Sequence, residues 1–347
     1  MAGNRKGTGA VRIVTACLVV LGTFASLSAA RADGLDGNEG SGELVEDMRI
    51  SREIRSILQD ATGMISPYDA PRATDGQAST GIKYGVTDPD EREPVHRTTS
   101  FPERAVVQIV GVDLRGEEKP RGLCSGAMIS PDTVLTAAHC LHGGTRGGRW
   151  ASRALYVIPG RNKSVAPYGN CRMRRAHVLD AWVTLDTNNE IKMFDLGVMK
   201  LDCGDNPPVG EATGYFAIAK DASEVGRDAI VHGYTSDRAP LGIQWKSTGK
   251  VDAANPLKMF YKNDTFEGTS GAPVYSDPGE DGLPEIFCVH TNGFNERQPA
   301  PWDVNNACTL LTPQIREVVA SWVSGDGWAD ASTCAASPSC HDIERPQ

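Results

Sequence analysis

Thr133-Val134-Leu135-Thr136-Ala137-Ala138-His139-Cys140 is a short apolar run that ends on a histidine. A strand beginning at Thr133 would deliver that imidazole at its end, and a fixed imidazole is what a general base requires. Cys124 lies far enough upstream to staple the turn through Cys140. Further on, Phe194-Asp195-Leu196-Gly197-Val198 sets a carboxylate beside an apolar run. There it would be shielded from solvent, stay ionised and orient a neutral imidazole through one hydrogen bond. Gly268-Thr269-Ser270-Gly271-Ala272-Pro273 sets a hydroxyl between glycines. The glycines permit a tight turn that aims the amides of Gly268 and Ser270 at one point, the outline of an oxyanion hole. Each stretch is weak alone, since Asp195 is one of 44 acidic residues and most of those are solvated surface groups. Together they supply a nucleophile, a base and an orienting acid.

The surrounding sequence reads as strands. Apolar runs at Ala105–Val112, Ala127–Ile129, Thr133–Ala138, Leu155–Ile158, Leu196–Leu201, Ala229–Val231, Ala272–Tyr275 and Ile286–Val289 are separated by turn residues and have no helical spacers. That texture predicts an all-β barrel or sandwich. One helix closes the pattern: Pro313 stands at a first helical turn, Thr312 is the candidate N-cap, and Ile315, Val318, Val319 and Trp322 recur at helical spacing.

The chain has 347 residues, 40% hydrophobic and 23% charged, with 37 Gly and 21 Pro, the composition of a turn-rich globular protein. Its net charge of −9 opposes binding to a phosphate backbone, which needs a concentrated basic face. Nucleic acid is therefore excluded as a partner. Arg5, Lys6 and Arg12, an apolar run from Ile13 to Leu27, and Ala30-Arg31-Ala32 have the three-part layout of an export signal. As a helix, that run would rise only about 22 Å, short of a hydrocarbon core of about 30 Å. Residues 1–32 are thus expected to be a signal peptide, the protein secreted, and no membrane attachment to remain after cleavage. Without Cys17, eight of the nine cysteines are left, an even number suited to disulfides in an oxidising compartment. No CxxC pair occurs, so a zinc site is not expected. Residues 33–84, rich in Gly, Asp, Glu and Ser with one helix-like stretch near Leu44–Leu58, read as a propeptide. Residues 85–328 form the expected functional domain, and 329–347 a cysteine-containing tail.

In order, TAAHC, DLGVMKL and GTSGAP resemble the trypsin-like serine peptidases. RTTSFPERAVVQI (97–109), GRNKSVAPYG (160–169), Asp264-Thr265-Phe266 and Val289-His290-Thr291-Asn292-Gly293 sharpen the resemblance to their bacterial glutamyl endopeptidase, V8-like branch over about 85–322. The resemblance implies a chymotrypsin-like pair of six-stranded antiparallel β-barrels, about 100–203 and 210–312, with a C-terminal helix. His139, Asp195 and Ser270 would be the triad, and the Gly268 and Ser270 amides the oxyanion hole. Thr265 and His290 would face the primary substrate pocket, with Thr291, Asn292 and Gly293 on the same strand. It also implies a histidine-loop disulfide Cys124–Cys140, a mature amino terminus near Tyr84–Val86 recruited to the pocket, protein or peptide substrates, no cofactor or metal, and a monomer. Cys171–Cys203, Cys288–Cys308 and Cys334–Cys340 are the remaining expected pairs.

Two features leave specificity open. Asp264 stands six residues before Ser270, the offset at which trypsin carries the aspartate that selects Arg and Lys. Glu267 replaces the glycine usual in the glutamyl branch and could repel an acidic substrate. A non-catalytic double-barrel binding protein is the rival from another class, and the presence of all three triad residues argues against it. His142, close to His139, is expected on the loop surface.

Overall fold

The computed structural model describes residues 85–87, 89–113, 121–144, 149–185, 192–220, 224–277 and 283–324, and the backbone of 340–341. The expected signal peptide and propeptide, and the Cys334–Cys340 pair, lie outside the described residues.

The chain enters along β1 (Glu93–Val95) and then builds β2 (Val106–Val112), β3 (Arg121–Ser130), β4 (Thr133–Thr136), β5 (Ala154–Pro159), β6 (Cys171–Leu179) and β7 (Gly197–Asp202). These six pair in the order β6-β5-β2-β3-β4-β7, and β6 also pairs β7, which closes an antiparallel barrel. After β8 (Ala217–Ile218) come β9 (Asp228–Tyr234), β10 (Gln244–Ala254), β11 (Lys258–Tyr261), β12 (Pro273–Tyr275), β13 (Glu285–Asn292) and β14 (Asn306–Leu310). Their order is β10-β11-β14-β13-β12-β9, closed by β10 on β9, so the second barrel repeats the connectivity of the first. Closure removes the unpaired edges that an open sheet of this kind would expose. The fold is the chymotrypsin-like double barrel. Short helices α1 (Asp180–Thr184) and α2 (Val209–Thr213) decorate the first half, and a two-residue β15 (Cys340–His341) pairs with β6.

α3 (Pro313–Ser324) is the helix expected from the sequence. Its Ile315 N–H donates to Thr312 Oγ1 at 3.3 Å, so the N-cap acts as predicted. Ile315, Val319 and Trp322 are its buried stripe. That stripe joins the larger apolar cluster, built mainly from β2–β7, and Trp322 stacks on His177 of β6. The helix thus belongs to the end of the chain yet packs on the first barrel. β1 does the converse, pairing Glu93, Pro94 and Val95 with Lys246, Trp245 and Gln244 of β10 in the second barrel. Upstream of β1, Arg92 is sandwiched between Asp90 (2.8 Å) and Asp237 (2.7 Å), which fastens this N-terminal strap.

Three disulfides join the described cysteines: Cys124–Cys140, Cys171–Cys203 and Cys288–Cys308. Each closes a loop within one barrel, and each is worth about 2–4 kcal/mol by constraining the unfolded chain. His142 departs from expectation. It is buried, accepts the Gly144 N–H on Nδ1 at 3.1 Å and packs edge-on against Trp150. The loop folds back because His142 bridges to Trp150 and its carbonyl accepts the Trp182 indole N–H at 2.9 Å.

Candidate active site

Strand register brings the first two residues together. Thr136, at the end of β4, pairs with Gly197, at the start of β7. The chain leaving β4 toward His139 and the chain entering β7 from Asp195 therefore share one barrel rim. Asp195 is almost wholly buried. One of its oxygens accepts the His139 backbone N–H at 2.9 Å, and the other meets His139 Nδ1 at 2.6 Å. Burial alone would raise the Asp195 pKa, but the interaction with His139 outweighs it and holds the carboxyl below its usual range. For His139, burial pulls the pKa down and the carboxylate pulls it up; the carboxylate prevails. The imidazole is 35% exposed, so part of the ring is open to solvent.

Ser270 lies between β11 and β12 in a loop that the first barrel grips. Ser125 of β3 donates its N–H to Ser270 O at 2.8 Å and its hydroxyl to Gly268 O at 2.8 Å, and its Oγ accepts the Tyr234 N–H at 2.8 Å. Its own carbonyl accepts Thr136 Oγ1 at 2.8 Å. Two glycines make the turn possible. Gly268 has φ +93°, and Gly271 has φ +84° with Thr136 Oγ1 and Ser125 O where a Cβ would be, at 2.1 and 2.2 Å. Gly271 N–H donates to His290 O at 2.7 Å, and His290 N–H to Ala272 O at 2.9 Å, which lays β13 alongside the loop. The amides of Gly268 and Ser270 find no acceptor among the described residues. Two undirected N–H groups on one turn suit an oxyanion.

Around this loop, His290 is buried and its Nδ1 lies 2.8 Å from Tyr261 Oη. Burial, with His139 and Lys258 adding to it, pushes its pKa down to about 3, so the ring is neutral. Thr265 N–H donates to Gly85 O at 2.7 Å. Gly85 also backs onto Asn306, whose Nδ2 donates to its carbonyl at 2.8 Å. Gly293 is exposed, and a Cβ on it would stand 3.6 Å from Gly85 N. Asp264 is buried. Its oxygens accept the Thr87 N–H and hydroxyl and the Glu91 N–H, so its carboxylate is spent on the N-terminal strap. Glu267 is exposed to solvent. Thr291 Oγ1 and Asn292 Oδ1 both receive Lys258 Nζ, at 2.7 and 3.0 Å. Ser125, Tyr261 and Lys258 are the participants that the sequence reading missed. The serine sits beside Cys124 in a strand, and the lysine interrupts the apolar run Leu257–Tyr261, where it reads as a solvated face.

Paired six-stranded barrels with a histidine–aspartate rim and a glycine-framed serine define the chymotrypsin-like hydrolases, and comparison with known proteins narrows the class. A family model described as Trypsin-like peptidase domain matches residues 124–280. Glutamyl endopeptidase of Bacillus licheniformis is 33% identical over 257 residues, covering 73% of each chain. A Bacillus subtilis protein named extracellular metalloprotease is 34% identical over 207 residues, 59% of this chain and 61% of that one. A solved Glu endopeptidase in complex with MPD superposes with a TM-score of 0.55 at 23% identity, covering 70% of this chain and all of the other, a likeness of fold. The chain therefore belongs to the glutamyl endopeptidase family of trypsin-like serine peptidases, and it is a serine endopeptidase. In this chain the convergent metal-ligand types among the described residues are Cys124, His139 and Cys140, and both sulfurs are bonded to each other.

Proposed function

We propose that the protein is a secreted endopeptidase that cleaves after glutamate, using His139, Asp195 and Ser270. His139 takes the Ser270 proton as the hydroxyl attacks the scissile carbonyl. The Gly268 and Ser270 amides receive the oxyanion, His139 returns the proton to the leaving amine, and water then releases the acyl-enzyme. The observation that carries this reading is the double hold of Asp195 on His139, through ring and backbone. It fixes the tautomer that leaves Nε2 free to accept a proton.

Glutamate selectivity is supported by the donors around the pocket and by where Asp264 is spent. Burial also raises the Tyr261 phenol, which stays protonated and can donate to His290 Nδ1. His290 then carries its hydrogen on Nε2 as a neutral donor, alongside Thr265 Oγ1. With its carboxylate held by three donors of the strap, Asp264 is not free to serve as the anion that Arg or Lys selection needs. Secretion is supported by the signal-like amino terminus, and no helix among the described residues is long and apolar enough to cross a membrane. Matched peptide reporters with Glu, Asp, Arg, Lys or Phe before the scissile bond test the reading. Cleavage blocked by a serine-directed inhibitor and fastest after Glu is expected; a preference for Arg or Lys would return the pocket to Asp264.

A further inference from the structure

Lys258 reaches across three neighbouring strands. It stands opposite Thr309 of β14. Its ammonium donates to Thr309 Oγ1 at 2.9 Å and, in β13, to Thr291 Oγ1 at 2.7 Å and Asn292 Oδ1 at 3.0 Å. The residue is fully buried, and all three acceptors are neutral. No carboxylate among the described residues pairs with it. Asp195 is connected to it only through Thr309, whose hydroxyl donates to the Asp195 carbonyl at 2.9 Å. Both carboxylate oxygens of Asp195 are taken by His139. Burial, and secondarily the charge of Lys192, push the ammonium down to about 7 against the pull of Asp195. A buried cation with no counter-ion is costly and strongly favours any anion that comes near.

The arrangement also sets the orientation of Asn292. An ammonium only donates, and Thr291 Oγ1 donates to the same Oδ1 at 2.9 Å, so the carbonyl end of Asn292 is turned inward. The amide end finds no acceptor among the described residues, and the side chain is half-buried. A slip of register between His290 and Asn292 bends β13 here, the kind of bulge that re-aims a side chain. The same strand carries His290 past the Ser270 loop. His290 is neutral, so it can hydrogen-bond a substrate carboxylate without compensating its charge.

We propose that Lys258 is the positioning residue for acid selection: it fixes and polarises Asn292, whose amide donates to the side-chain carboxylate of the glutamate preceding the scissile bond, and it supplies the positive charge that this carboxylate meets. The proposal rests on cleavage after glutamate as read above. A glutamate would give the buried ammonium the partner it lacks, and glutamine, of the same shape, would not.

The test compares the active enzyme with Lys258→Met, Asn292→Ala and the double variant on reporters that differ only in Glu or Gln before the scissile bond. Each single substitution is expected to lower the Glu-over-Gln ratio of kcat/KM at least tenfold, with the loss carried by KM. The double variant should be no worse than the poorer single one, because both act on one path. An unchanged ratio in folded Lys258→Met overturns the proposal. So does an equal loss on both reporters with a displaced acid limb of the pH profile, the mark of a lysine that serves Asp195 instead. If Lys258→Met fails to fold, the half-buried Asn292→Ala decides: an unchanged ratio refutes. A parent enzyme with no preference for Glu would overturn the glutamate reading and this proposal together, whereas the other contrary results leave that reading standing.

Discussion

Among the described residues each barrel buries one lysine, and the two are used differently. Lys200 of the first barrel meets Asp132 Oδ1 at 2.8 Å, Thr133 Oγ1 at 3.0 Å and the Val323 carbonyl of α3 at 3.1 Å. Lys258 of the second barrel meets two hydroxyls and an amide oxygen. The first is a cation with its anion in place, and it ties a helix to a sheet. The second has no carboxylate partner among the described residues, and it lies beside the strand that flanks the Ser270 loop. The wider architecture follows the same division. The first barrel completes its own ion pairs, His139 with Asp195 and Lys200 with Asp132. The second holds donors that find no acceptor among the described residues, the Gly268 and Ser270 amides and the Asn292 amide.

That division can be broken at either barrel. The largest effect is expected from Ser270→Ala, which should cut kcat roughly a millionfold while circular dichroism and melting stay close to the parent. Asp195→Asn attacks the first barrel instead and should cost about four orders of magnitude in kcat. The pH profile of its residual activity gives the sign. Activity needs neutral His139, and Asp195 raises the imidazole pKa, so the acid limb of the parent lies above the ordinary histidine value. Without the carboxylate only the downward pushes of burial and of the Lys258 charge remain, and the limb should move to lower pH. Asp195 also contributes stability that is fully present above the ordinary aspartate pKa and is lost as pH falls from there through its depressed value.

Smaller effects sharpen the contrast of the lysines. Lys200→Met takes the ammonium from Asp132, leaving it the longer contact with Arg174 at 3.5 Å, and frees the end of α3; it should lower unfolding free energy by about 2 kcal/mol, seen as a lower Tm with the Glu-over-Gln ratio unmoved. Ser125→Ala removes the hydroxyl bridge between Tyr234 N–H and Gly268 O. About 1–2 kcal/mol of stability should go with it, and kcat should fall on Glu and Gln reporters alike, because the oxyanion turn loosens while the selecting strand does not.

The sequence was most readable where pattern and chemistry coincide. β4, β7 and β12 are short apolar runs that carry His139, Asp195 and Ser270 near their ends, and α3 announces itself through Thr312, Pro313 and its apolar spacing. β6 and β10 were not legible. β6 carries Arg172, Arg174, Arg175 and His177, and β10 alternates buried Val251 with exposed polar neighbours, so neither forms the continuous apolar run that marks a doubly buried strand. Lys258 was hidden for a different reason. Its meaning lies in a register across β14 to Thr291, a pairing between residues 33 positions apart, which no local window contains. Asp264 shows the converse: spacing alone suggested a pocket base, and the strap at Thr87 and Glu91 claims it.

The exchanged arms of the chain carry a consequence for survival among proteases. β1 begins the first half yet is paired into the second barrel, and α3 ends the second half yet is packed on the first. A single cut in the linker between Asp202 and Asp228 would sever the covalent path between the halves, since the described disulfides all close within one barrel. Each fragment would nevertheless hold the other by its own arm. A nicked molecule would therefore be a clasped pair, joined by β1 on one side and α3 on the other.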